Sequence, residues 1–273
     1  MVRCWEGQLP AATCLNLNLF PPSPPPLCSP CSTADNGYHA GAYGLVYDKR
    51  NPFETDTHLP MLIRGPGIAP GTASAAPVAM TDLSATFLHM AGLPIPQEFD
   101  GASMLQYVQA APPAPRLATF IEYVGEAADG GPPALCPLTH GNAAVYCNPT
   151  NNYTEPPYWY GRNVCLCQDS LNNTYSCLRV VSGADAVAEK AQMLSPTGLP
   201  HAPPAALDYR YCEFSDRVGT KEFFNLTEDP YELVNKVDTM DAGLRAALAQ
   251  RLAALRACKG SAACLPLLTD PIQ

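Results

Sequence analysis

The pattern of apolar and polar positions divides the chain at about residue 35. Residues 1 to 34 show neither a helical nor a strand period, and they include "FPPSPPPLCSPCS" (20–32), a proline-rich run that suits neither a core strand nor a core helix. From Asp35 onward, elements become readable. "HLPMLIRGPGI" (58–68) predicts a short buried strand stopped by a Gly-Pro-Gly turn. "MTDLSATFLHMAG" (80–92) predicts a helix with Thr81 or Asp82 at its N-cap. Its inner face is expected to carry Leu83, Phe87 and Met90, and Gly92 to stop it. "APPAP" (111–115) is the best candidate linker.

Beyond it, "ATFIEYV" (118–124), "TYSCLRVV" (174–181), "LDYRYCEF" (207–214) and "KEFFNL" (221–226) predict strands, the last running into the turn "TEDP". The closing stretch "DAGLRAALAQRLAALRAC" (241–258) repeats Leu244, Leu248, Leu252 and Leu255 at helical spacing, with Arg245 and Arg256 off that face. Strands followed by one amphipathic helix imply a small antiparallel sheet with a helix packed on one face.

Length and charge narrow the function classes. A chain of 273 residues can form one large domain or two ordinary ones. A net charge of -9 and a pI near 4.9 argue against a general nucleic-acid binder, which needs a basic face. The expected partners are therefore small molecules, glycans or proteins. No stretch approaches the roughly 18 consecutive apolar residues of a membrane span, and "MVRCWEGQLPAATCLNLNLF" lacks the apolar core of a signal peptide.

The cysteines point elsewhere than the cytosol. Of 12 Cys, eight lie in the second half (Cys136, Cys147, Cys165, Cys167, Cys177, Cys212, Cys258, Cys264). Glycosylation sequons stand at Asn152, Asn172 and Asn225 in the same region. Together they imply folding in an oxidising, glycosylating compartment, and a glycoprotein.

The densest polar constellation is "ADNGYHAGAYGLVYDKR" (34–50). Asp35 and Asn36 offer adjacent hard oxygens, and Gly37 lets the backbone turn sharply so that both can face one cation. Such ligands favour calcium or magnesium over zinc. By itself Asp-Asn-Gly is also an ordinary turn sequence, and Lys49 beside Asp48 an ordinary surface lysine. His58 reads as a strand-boundary residue and His89 as a hydrogen-bonded core histidine. His140 and His201 sit in Gly/Pro-rich stretches and carry no partner signature. Cys165-x-Cys167 is too close for a zinc clamp.

The company that Asp35 keeps decides between these readings. "DNGYHAGAYGLVYDKRNPFETDTHLPMLIRGPGI" (35–68), "FIEYVGE" (120–126), "NNTYSCLRV" (172–180), "YCEF" (211–214) and "FFNLTEDPYELVNKV" (223–237) occur in that order over about 230 residues. With Cys258 and Cys264 after the last helix, the set resembles the sulfatases of the alkaline phosphatase superfamily, in particular enzymes of the N-acetylglucosamine-6-sulfatase and arylsulfatase kinds. The resemblance implies an α/β fold: the C-terminal portion of a sulfatase catalytic domain (35–112) followed by a smaller α+β subdomain (117–273) with an antiparallel sheet and a C-terminal helix. Residues 1–34 are expected to be a disordered or mis-joined segment.

The resemblance also implies Asp35 and Asn36 as two ligands of a single active-site Ca2+, Lys49 as the lysine holding a sulfate oxygen, and His39 in the same pocket. A fixed cation about 4 Å from a sulfate contributes a few kcal/mol at an effective dielectric near 20. The implied activity is sulfuric ester hydrolysis on a sulfated sugar or glycan such as N-acetylglucosamine 6-sulfate, or on a small sulfate ester. The complete protein is expected to be secreted, lodged in the cell wall or periplasm, or lysosomal. Disulfides are the better account of the cysteines, with Cys258 and Cys264 closing the shortest loop.

The family's nucleophile is a formylglycine made from Cys or Ser in a Cys/Ser-x-Pro/Ala-x-Arg motif. "CSPCS" (28–32) places Ser32 where that motif needs Arg, and no Asp-Asp pair occurs to supply the remaining calcium ligands. Two oxygens of a needed six to eight hold calcium loosely at best. The expectation is therefore a fragment lacking its formylglycine, inactive alone; the alternative is a non-catalytic, sulfatase-like glycan-binding remnant.

Overall fold

A computed structural model describes residues 2–3, 31–42, 49–65, 68–108, 116–125, 173–181, 208–216 and 218–272. The candidate linker, the sequons at Asn152 and Asn172, His140, His201 and Cys136, Cys147, Cys165 and Cys167 lie outside them.

The first unit is a small mixed sheet. Strands β1 (Val2–Arg3), β2 (Cys31–Ser32), β3 (Met61–Ile63) and β4 (Ala73–Ser74) line up in the order β2-β3-β1-β4. β1 runs parallel to β3, while β4 and β2 are antiparallel to their neighbours. β3 is the predicted strand, and Met61 and Ile63 are its buried positions. Two-residue strands such as β1 and β2 carry no period to read, so the first 34 residues give no strand signal although two pairs of them join this sheet.

Helix α1 (Glu54–Thr57) precedes β3, and α2 (Asp82–Met90) covers the sheet. Leu83 and Met90 pack on the core of Met61, Ile63, Met104 and Val108, as expected, and Gly92 ends the helix at φ 68°. Phe87 does not join them: it is 49% exposed, and the buried side of α2 is Asp82, Ala85 and Thr86. Polar residues take those places because each is satisfied there. Asp82 accepts the Ala79 and Ala102 N–H groups and pairs with Arg116 at 2.5 Å. Thr86 donates to the Asp82 carbonyl and accepts the Met104 N–H. His89 is hydrogen-bonded, to Ser103 at 2.8 Å, but it lies at the surface rather than in the core.

The second unit is an antiparallel meander, β5 (Ala118–Tyr123), β6 (Tyr175–Val181), β7 (Asp208–Phe214) and β8 (Lys221–Asn225), ordered as in the chain. The strand period sends Leu178, Val180, Tyr209, Tyr211 and Phe223 to one face. There Leu248, Leu252 and Leu255 of α3 (Ala242–Ala257) cover them, each leucine contributing about 1.5–3 kcal/mol by burial. Asp241 caps α3 by accepting the Leu244 N–H, and Arg256 reaches out to Glu213 at 3.1 Å. Two short helices, α4 (Ser261–Cys264) and α5 (Pro266–Thr269), end the chain.

The opposite face of this sheet is buried as well. β6 and β7 place Cys177 opposite Cys212, joined as a disulfide, and Arg179 opposite Arg210. Two arginines directly across a strand pair repel one another, so this face needs acids. They come partly from α1 in the first unit, and that exchange positions the candidate site.

Candidate active site

The turn Asp35–His39 leaves β2 and is fastened to α1 by main-chain bonds. The Gly37 N–H donates to the Asp56 carbonyl at 2.7 Å and the Tyr38 N–H to the Thr55 carbonyl at 3.0 Å. Gly37 is required by contact: a Cβ there would stand 1.9 Å from the Thr55 carbonyl oxygen. Asp35 is exposed and Asn36 half-buried at the head of the turn, where the Asn36 N–H donates to the Asp35 carboxylate at 3.0 Å.

His39 is fully buried. Its Nδ1 lies 2.7 and 2.9 Å from the two carboxylate oxygens of Asp56, so Nδ1 carries the proton and donates it. Asp56, 4% exposed, is the hub of the site. Besides His39 it accepts the Asn51 N–H at 3.0 Å and the Thr55 hydroxyl at 3.1 Å. Asn51 follows Lys49 and Arg50 directly, so the same carboxylate anchors the segment bearing Lys49, whose side chain is exposed. Asn173, just before β6, donates to the Arg50 carbonyl at 2.7 Å and ties that segment to the meander.

α1 is in turn held by charged groups of the second unit. Arg179 pairs with the Glu54 carboxylate at 2.7 Å and also with Asp208. Burial alone would raise the Glu54 carboxyl pKa, but His58, 3.0 Å away, and Arg179 outweigh it and hold the carboxyl well below the usual carboxylate range. Glu232 accepts the Glu54 N–H at 2.8 Å and pairs with Arg210 at 2.6 Å. Its own carboxyl is pushed up by burial despite Arg210. Arg210 pairs further with Glu222 at 2.9 Å, and its guanidinium packs against the rings of Phe53 and Phe224 at 5.2 and 4.9 Å.

The residues expected from sequence are thus gathered in part. Asp35, Asn36 and His39 share one turn, and the Lys49 segment joins them through Asp56. Among the described residues no group of three or more His, Cys, Asp or Glu is placed to hold a metal ion. The oxygens of Asp35 and Asn36 are of the hard kind that calcium takes, and two are fewer than the six to eight it needs. Asp56 and the Glu232–Arg210 pair were not readable in the sequence. The only local signal for Asp56 is acidic residues spaced for the first turn of a helix in "FETDT", a pattern shared by many surface helices.

The family model described as N-sulphoglucosamine sulphohydrolase, C-terminal, matches residues 41–128. The N-acetylglucosamine-6-sulfatase of Homo sapiens is 33% identical over 241 residues, covering 88% of this chain and 37% of that enzyme. The chain is similar to the sulfatases, over a region that the family model describes as C-terminal. It spans little more than a third of the length of the N-acetylglucosamine-6-sulfatases it matches.

A further sulfatase relative is the extracellular sulfatase SULF-1 homolog of Drosophila melanogaster, 49% identical over 73 residues, which are 27% of this chain and 7% of that protein. In three dimensions the chain is similar to the solved structure of BT4656 in complex with its substrate D-glucosamine-2-N,6-O-disulfate. The TM-score is 0.52 at 20% identity, over 82% of this chain and 33% of that one. This likeness bears on the fold, which is the expected α/β sulfatase architecture with an antiparallel sheet and a C-terminal helix. Sulfatase relatives include extracellular proteins, and no helix among the described residues is long and apolar enough to cross a membrane.

Proposed function

We propose that this chain serves in sulfuric ester hydrolysis, on a sulfated sugar such as N-acetylglucosamine 6-sulfate. The observation that carries the reading is the Asp35–His39 turn locked onto Asp56 in a chain whose 241 matched residues are 33% identical to an N-acetylglucosamine-6-sulfatase. In this reading Asp35 and Asn36 are two of the ligands of one calcium ion, which when bound supplies fixed positive charge for the sulfate. Lys49 holds a sulfate oxygen, and the buried His39, oriented by Asp56, lies behind the same pocket. Positive charge held in place before the reaction stabilises the charge that develops in the transition state, commonly more than any other single effect. Folding in a secretory or lysosomal compartment, with sequon glycosylation at Asn225 at the end of β8, belongs to the same reading.

The nucleophile is not among these 273 residues, since no Cys/Ser-x-Pro/Ala-x-Arg motif occurs. That observation favours the second reading, a non-catalytic protein that binds sulfated glycans. The test is the longest polypeptide the gene encodes, assayed for release of sulfate from N-acetylglucosamine 6-sulfate beside hydrolysis of a phosphate diester. Sulfate release in excess supports the hydrolase. Saturable binding of the sulfated sugar without turnover supports the binding protein, and preference for the phosphate diester would falsify both.

A further inference from the structure

Glu232 is the only described residue other than glycine with positive φ, at 54°. It stands in "TEDPYELV", a turn whose neighbouring side chains Tyr231, Leu233 and Val234 are 58–67% exposed, while Glu232 itself is 5% exposed. The backbone adopts an unfavourable conformation for an L-residue here, and one side chain of an otherwise outward-facing turn is driven inward. Inside, both carboxylate oxygens are used. One binds Arg210 at 2.6 Å and the other accepts the Glu54 N–H, the first of α1, across 178 positions of sequence. α1 is four residues long and could not persist unaided. Two further anchors, Arg179 on the Glu54 carboxylate and Arg210 against the N-capping Phe53, come from the same sheet.

We propose that Glu232 is a positioning residue for the candidate active site, acting through α1: it fixes the Glu54 N–H, and α1 then fixes Asp56, His39 and the main chain of the Asp35–His39 turn. The second unit thereby sets the geometry of a site whose proposed ligands all lie in the first. That the site is an active one rests on the sulfatase reading; the mechanical coupling does not.

The test compares native-state hydrogen exchange in the wild-type chain, Glu232→Ala and Glu232→Gln. In Glu232→Ala the Glu54 amide loses its acceptor. The Gly37 and Tyr38 amides, which donate to α1 carbonyls rather than to Glu232, are expected to exchange about tenfold faster or more. Amides at the centre of β6, such as Leu178, should accelerate by a smaller factor than those of Gly37 and Tyr38. Glu232→Gln retains an acceptor oxygen and should restore most of the protection of Gly37 and Tyr38. It also stands in if the alanine variant does not fold.

In a polypeptide that releases sulfate, Glu232→Ala should lower kcat with KM nearly unchanged. Exchange that accelerates at Glu54 but not at Gly37 and Tyr38, or equally at every amide of the meander, overturns the proposal. A wild-type protein without sulfate release overturns the proposed function instead, and leaves this exchange result to stand or fall separately.

Discussion

At the scale of single residues, the site depends on two kinds of side chain, those that meet the ligand and those that hold the main chain in place. Gly37 belongs to the second. Its replacement by alanine forces a methyl group into the Thr55 carbonyl, and the turn and α1 must separate. We expect Gly37→Ala to destabilise by about 1–3 kcal/mol, read as a shift of the urea midpoint at unchanged slope. Arg210 is the other extreme, a fully buried cation bound to Glu232 and Glu222. Arg210→Ala would leave two carboxylates facing a cavity, and about 3–5 kcal/mol should be lost; a loss below about 1 kcal/mol contradicts the network. Asp35, Asn36 and Lys49 could be proposed from sequence because they sit in a contiguous motif. Asp56 and Glu232 were not, because they act through partners 17 and 178 positions away. An acid in a sequence carries no mark of whether it will face water or an arginine.

Element by element, legibility followed length and periodicity. The leucine repeat of α3 and the alternation in β6 and β7 located the second unit's core, including Leu248, Leu252 and Leu255. The strands β1 and β2 are too short for any pattern to identify. α2 lies where its sequence pattern places it, with Leu83 and Met90 on the core as expected and Phe87 outside it. Hydrophobicity favoured Phe87 inward, whereas Asp82 and Thr86 occupy the buried side because they satisfy the main chain around Ala79, Ala102 and Met104. The expected bridge between Cys258 and Cys264 is present, and a second joins Cys177 to Cys212. Their sequence separations of 6 and 35 place the loop-entropy contributions at about 2 and 4 kcal/mol, so replacing both cysteines of the β6–β7 pair should cost more. Thermal unfolding of the two double-serine variants measures the order, and a larger loss from the Cys258–Cys264 pair contradicts it.

For the whole molecule, the notable feature is how the two units meet. The meander covers one face with α3 and gives the other to α1, through arginines whose acids are shared between units. The acid titration of the fold should show this. Glu54 has its carboxyl held below the usual range in the folded state, so its stabilising contribution is present above the unfolded value of about 4.3 and is lost as pH falls below it. The stability difference between wild type and Glu54→Gln, from urea unfolding, should therefore be largest at pH 7 and narrow as the pH drops through about 4 and below. A gap independent of pH would exclude the pairing as its source. The central claim, that this architecture presents a sulfate-handling site, is tested most directly by the rate of sulfate release from N-acetylglucosamine 6-sulfate in the longest encoded polypeptide, wild type against Lys49→Ala. The account predicts release by the wild type and a fall of about 10²–10³ in kcat for the variant. Sulfate release that survives Lys49→Ala undiminished would contradict it.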